Sequence, residues 1–297
     1  MAKSMNKLTI GLLAGIGAAI GNGIYPATAR AVYEHGGNAM FMLLATTLMR
    51  AFSLSAFCAI TRRPLFQNKD ETKTAFTGGF FQALSNGSIF MALLYLAAPV
   101  VIVINYTHTL MLLLLTVWKK EIPFTMNALV TSIIALVGLT FVLDLWKGYD
   151  IVWIGVALSF VAAISAASRI YLFGKQMKTR HPAVVGAETL IFAAIFIVIL
   201  SFFKTPILPT SLEGYGWALL GCISMSCATF GMFYGVSLLG SFNYGMVSKS
   251  EPIFTMLFAM VFLHEFLTLS QTIGLFMVIG SLIIYQYLDA KRQKAVK

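Results

Sequence analysis

Charge is what this chain has least of. Of its 297 residues only 11% are Asp, Glu, Lys or Arg, and just 11 residues are acidic. A soluble domain carries about 25% charged residues, so a surface that meets water on every side is excluded. Cysteine is also scarce, with Cys58, Cys222 and Cys227 all in apolar stretches and odd in number. That pattern offers neither a disulfide framework nor a metal-ligand spacing, and the three are read as core packing. No glycine-rich loop ends in Gly-Lys-Ser/Thr and no soluble stretch is large enough to hold one, so ATP hydrolysis within this chain is excluded. No cofactor and no metal are expected.

What is present is apolar length. The hydrophobic share is 59% and the mean hydropathy +0.84, values of an all-α polytopic membrane protein. The formal charge of +10 does not point to nucleic acid, because the basic residues lie between apolar runs instead of sharing a soluble face with aromatics. Ten runs of spanning length are predicted as helices: 8–28, 39–60, 75–97, 99–118, 124–143, 151–173, 183–203, 215–238, 244–263 and 269–288. Lys3 and Lys7 ahead of the first run, with Ala27-Thr28-Ala29 at its end, have the outline of a cleaved leader. The run has about the 20 residues of a spanning helix, so it is expected to be retained.

Orientation follows from the basic residues. With the N-terminus in the cytoplasm, 15 of the 21 Lys and Arg fall in inside segments and three (Arg30, Lys147, Lys204) outside. Positive charge stays inside, which predicts both termini cytoplasmic and, in a bacterium, residence in the inner membrane. Sliding the sequence by 144 residues pairs Gly87 with Gly231, Phe90 with Tyr234, Leu94 with Leu238, Val117 with Val261 and Glu121 with Glu265. Each glutamate ends the fourth helix of a five-helix half. Five is odd, so the second half must be inserted upside down: two inverted repeats, residues 1–147 and 148–297, with the substrate expected near the midplane between them.

These residues resemble the EamA-like branch of the drug/metabolite transporter superfamily over nearly the whole chain. The resemblance is carried by Glu251-Pro252-Ile253 leading to Glu265, then Thr268, Gln271, Gly274 and Gly280; by Trp217 to Gly221 with Tyr234 and Leu239-Gly240; and by Arg50 in the second helix. Gly21-Asn22 is similar to the family's turn in helix one, although Ile20 stands where a tryptophan is usual. The first half departs where Thr107 and His108 map onto Glu251 and Pro252. The resemblance implies ten helices, a cavity lined by helices one, three, four, six, eight and nine, and transport of a small organic solute, commonly export.

The candidate site rests on polar groups too deep to escape. Arg50 lies ten residues from Ile60, about 15 Å by helical rise, and needs a partner: Glu251, carbonyls freed by Pro252, or an anionic group of the solute. His108 is equally deep, with Asn105, Tyr106, Thr107 and Thr109 around it; imidazole ordinarily titrates near neutrality, so protons are a candidate coupling ion. Glu251 stands beside Pro252, which leaves the carbonyl of Ser248 without its usual donor and predicts a kink. Asn22, Asn86 and Tyr234 complete the set of substrate or coupling candidates. Arg169, Glu188 and Lys249 lie four or five residues from helix ends, roughly 6–8 Å, and are predicted to reach water. The repeat overlay predicts that Glu251 and His108 approach one another. A catalytic site is not expected: His264-Glu265 lacks the second histidine of a His-Glu-x-x-His motif. The expected function is therefore secondary active transport of an amino-acid-like, drug-like or other amphipathic metabolite, with an accessory or scaffold protein and an intramembrane enzyme as rivals.

Overall fold

The computed structural model describes residues 2–263 and 268–295; His264, Glu265 and Lys297 lie outside them. The described chain is helical and connected by short turns. Its elements are α1 (Ala2–Glu34), α2 (Ala39–Ile60), α3 (Lys69–Ala92), α4 (Ala98–Tyr106), α5 (His108–Trp118), α6 (Met126–Val142), α7 (Trp153–Gln176), α8 (Pro182–Ser201), α9 (Leu212–Leu239), α10 (Ser241–Ser248), α11 (Glu251–Leu263) and α12 (Leu269–Ala295). A single 3-10 turn, Leu145–Lys147, follows α6.

Local chemistry sets the ends. Asn38 caps α2 by accepting from the Phe41 N–H at 2.9 Å, and its side chain also meets Thr205 and Ile207 across the chain at 3.0 Å each. Asn68 caps α3, whose first turn carries Asp70 and Glu71, where the helix dipole favours negative charge. Pro99 sits in the first turn of α4 and Pro182 in that of α8, positions where the missing N–H costs nothing. Among the described residues six stretches are long and apolar enough to cross a membrane, 7–34, 39–60, 98–118, 153–176, 182–201 and 212–239. Large apolar side chains such as Leu13, Phe52, Ile164 and Phe276 face outward, and Trp118, Trp146 and Trp153 stand exposed near helix ends, where aromatic rings favour the membrane interface.

The pattern of helix packing is unchanged when the two halves are exchanged. In the second half α7, α8, α9, the α10–α11 pair and α12 correspond to α1, α2, α3, the α4–α5 pair and α6. The main contacts are α1 on α9 and its counterpart α3 on α7; α2 on α9 and α3 on α8; α1 on α11 and α5 on α7; and the self-corresponding pairs α2 with α8 and α6 with α12. Every one of them joins one half to the other. The core is thus shared, and neither half has a packed interior of its own.

Close approach of α1 to its neighbours depends on glycine. A Cβ at Gly21 would stand 2.6 Å from the Ser224 carbonyl, and one at Gly231 2.6 Å from the Ala14 carbonyl; small residues let helix backbones meet in this way. Two expectations fail here. Cys227 is exposed, not packed in the core, because it points away from the face of α9 that meets α1. Glu188 is not a solvated helix end but fully buried: the loop before α3 folds over it, its carboxylate accepting from the Phe66 N–H and from Arg180 at 2.7 Å each.

Candidate functional site

Two helices break at corresponding places. Between α4 and α5 the Thr107 N–H turns back to the Ile104 carbonyl at 3.1 Å. Between α10 and α11 the N–H groups of Lys249 and Ser250 bond Met246 and Val247 at 3.2 and 3.0 Å. Both are the tighter i to i+3 pattern in place of the α-helical one. Side chains supply further donors at each break: Thr107 Oγ1 to Ile104 at 2.6 Å and His108 Nδ1 to Asn105 at 2.7 Å, Ser248 to Gly245 at 2.9 Å and Ser250 to Val247 at 2.8 Å. Only the second break has a proline beside it. With Nδ1 assigned as the donor, His108 keeps Nε2 as an acceptor.

Around the breaks the polar candidates gather. Asn22 Nδ2 of α1 donates to Glu251 Oε2 at 3.0 Å, and the Tyr106 hydroxyl is the carboxyl's other hydrogen-bonding neighbour. Tyr106 also stacks toward His108, ring centres 5.9 Å apart. Tyr106 is thus a neighbour of both Glu251 and His108, and the charges in electrostatic range of His108 are Arg169 and Lys249, not Glu251. Asn105 points a buried Oδ1 that has no partner among the described residues. Tyr244 of α10, packed against Gly235, lies in electrostatic range of Glu251, Arg169 and Arg50 together.

Arg50 does not pair with Glu251. Its Nε donates to Thr229 Oγ1 at 2.6 Å, while that hydroxyl donates onward to the Met225 carbonyl at 2.7 Å. Arg169 is half-buried and not the solvated helix end predicted: α7 runs on to Gln176, and the guanidinium turns inward to Gln82 Oε1 at 2.7 Å and Met232 sulfur at 3.9 Å. Lys249 is likewise inside, 0% exposed, its ammonium on the Ser132 carbonyl of α6 at 3.1 Å. Its backbone sits at the α10–α11 break within the bundle, so a neighbouring carbonyl is nearer than solvent.

Two candidates lie elsewhere. Tyr234 faces His181 at the start of α8, hydroxyl to Nε2 3.4 Å. Burial, then the positive charge of Arg63, push that imidazole below its ordinary pKa, which suits its neutral Nδ1 to accept from the Ala183 N–H at 3.3 Å. Asn86 is half-buried on α3, and no hydrogen bond joins it to the cluster among the described residues. Glu121, at the end of the fourth run, holds Lys178 at 3.2 Å and Tyr171 at 3.0 Å, while its overlay partner Glu265 is outside the described residues. Among the described residues no three His, Cys, Asp or Glu side chains come together as metal ligands.

The family model for the EamA-like transporter family matches this chain twice, over residues 9–144 and 153–286. The chain belongs to that family. A match in each half gives the two-repeat architecture independently of the helix packing. Among solved structures, one described as a crystal structure of protein aligns over 95% of this chain and 98% of its own at a TM-score of 0.78 and 14% identity, a likeness of fold. No curated protein matches the chain. As a member of this family it is a multi-pass membrane transporter, and the lipid bilayer is its surroundings.

Sequence reasoning missed Tyr244, Thr229 and the inward turn of Arg169 and Lys249. Tyr244 carried no signal beyond its place at the start of the broken helix. For the two cations the signal was depth along one helix, which says nothing of what packs beside it.

Proposed function

We propose that this chain is a secondary active transporter of a small organic metabolite, working by alternating access around the two helix breaks. It spans the membrane ten times in two inverted five-helix halves, residues 1–147 and 148–297, with α4–α5 and α10–α11 each forming one broken span and both termini in the cytoplasm. The observation that carries this reading is the convergence of both breaks on the Asn22–Glu251–Tyr106 cluster. Irregular backbone at membrane depth is tolerated where it lines a cavity, and discontinuous helices at repeat-related positions mark the substrate site of such folds. Because the main contacts all join the halves, alternation proceeds by sliding and rocking along shared interfaces, with outward release of the solute. Glu251 and His108, joined by Tyr106, are the groups that would exchange a proton with the solute's passage.

The decisive experiment is solute counterflow into liposomes holding the purified chain. Saturable exchange supports the proposal; conversion of the solute to a new species would favour an enzyme, and no exchange for any class of metabolite would favour a scaffold.

A further inference from the structure

Three cations sit in the interior: Arg50, Arg169 and Lys249. Among the described residues none has a carboxylate within ion-pair distance; their hydrogen-bond acceptors are the Thr229 hydroxyl, the Gln82 amide oxygen and the Ser132 carbonyl. Glu251, the carboxyl at the helix break, is turned to Asn22 and Tyr106. Holding a buried charge with neutral dipoles alone is costly, and a charge kept at such cost in a membrane interior marks a functional path.

Two of the three converge. Arg50 reaches Thr229 and Arg169 reaches Met232, residues one turn apart on the same helix, so guanidiniums from α2 and α7 face one patch of α9. They are near enough to repel. Thr229 occupies Nε of Arg50, which leaves the two-pronged edge of that guanidinium open, the edge that grips carboxylate and phosphate oxygens in pairs. Tyr25 and Tyr244 lie within electrostatic range of Arg50.

We propose that Arg50 and Arg169 form the anion-binding point of the central site, so that the transported solute carries a carboxylate or phosphate group. The proposal rests on the transporter reading and names the class of its solute. The anion supplies the charge that both guanidiniums lack.

The test uses the full chain in nanodiscs of phosphatidylcholine at constant ionic strength, with thermal unfolding as readout. Succinate and inorganic phosphate should raise the unfolding temperature saturably, since a ligand of the folded state stabilises by mass action, and neutral succinamide should not. Arg50→Gln and Arg169→Gln should each weaken the response at least tenfold, Arg50→Lys should weaken it less, and Arg30→Gln on the exposed end of α1 should leave it alone. Equal responses to succinate and succinamide, no response to either anion, or undiminished responses in both Gln variants would overturn the proposal. A response confined to nanodiscs containing phosphatidylglycerol and abolished by the same variants would assign the site to a lipid headgroup, and overturns it for a free solute. Counterflow separates the two readings: exchange of a neutral solute equal in wild type and both Gln variants keeps the transporter and sinks the anion site, whereas arginine-dependent anion binding with no exchange of any solute keeps the site and sinks the transporter.

Discussion

Arg180 and the pair Arg50 and Arg169 are all withdrawn from water, yet only Arg180 is neutralised. Its guanidinium meets Glu71 at 3.0 Å and the fully buried Glu188 at 2.7 Å, tying the α7–α8 turn to the start of α3 and to α8. Arg50 and Arg169 meet an alcohol, an amide and a thioether. The first arrangement carries its own counter-charges, although Glu188 Oε2 has no partner among the described residues. The second is a binding site with one charge missing. Charge pairing thus separates structure from function here: an arginine with its carboxylates fastens helices, and an arginine without one waits for a ligand.

The comparison breaks most visibly at Arg50. Arg50→Leu should abolish transport, with rates at least about a hundredfold down, roughly 2.8 kcal/mol at 1.4 kcal/mol per decade, while the unfolding temperature stays level or rises, because a buried unpaired charge has been removed without loss of apolar length. Counterflow and thermal unfolding of the same preparation check both halves of that expectation. A mutant that transports normally would show that Arg50 does not touch the solute.

Glu188→Ala should do the reverse. Removing one partner of a buried pair typically costs about 3–5 kcal/mol, and here it also strands the Phe66 N–H. Unfolding should move to distinctly lower denaturant, while the protein that remains folded keeps its affinity for solute. If Arg50→Leu destabilises as much as Glu188→Ala, the division between fastening and waiting arginines fails.

How much of this was legible before the structure varies by residue. The apolar runs gave α2 to the residue, 39–60, because hydrophobic length is written along one dimension, but they fell short of α1 at both ends (8–28 against Ala2–Glu34) and set α3 late (75–97 against Lys69–Ala92). Pro252 gave the second break for the same reason, a proline being unable to donate. The first break was hidden: Thr107 and His108 undo the helix by offering their own side-chain donors to Ile104 and Asn105, a competition that threonine elsewhere in the chain loses. Residue counting also misjudged Lys249 and Glu188, since distance from a helix end measures depth along the axis, and burial was decided sideways by α6 and by the loop carrying Phe66. The convergence of Arg50 and Arg169 on α9 joins positions 119 residues apart in sequence and is written only in the packing.

Glu251 lies between the two kinds of charge, a carboxyl held by neutral groups. Glu251→Gln keeps the hydrogen bonds of Asn22 and Tyr106 within reach but cannot release a proton. Accumulation driven by a proton gradient should disappear in this variant while counterflow persists within a fewfold of wild type, because exchange needs only the loaded form to alternate. His108→Asn should flatten the dependence of transport on pH. Gradient-driven accumulation unchanged in Glu251→Gln would return that carboxyl to a prop beside the Pro252 kink.

The smallest effect is expected where a pair is complete but wet. Glu121 binds Lys178 with side-chain exposures of 29% and 61%, against 0% for Glu188 and 10% for Arg180. Water already solvates much of the Lys178 ammonium, and exposed pairs contribute about 0–1 kcal/mol. In Glu121→Gln the amide oxygen can still accept from the Tyr171 hydroxyl, so one of the two contacts survives the loss of charge. Stability should fall by less than about 1 kcal/mol, the fall should shrink further at high salt as screening removes the pair in the wild type too, and transport should not change. Glu121 ends the fourth span of its half as Glu265 ends that of the other, and that shared place in the repeat is the one reason to expect more of it. A loss as large as that of Glu188→Ala, measured in the same denaturant series, would mean that position in the repeat and not burial sets the worth of these carboxylates, and the ranking of arginines by the company they keep would have to be abandoned.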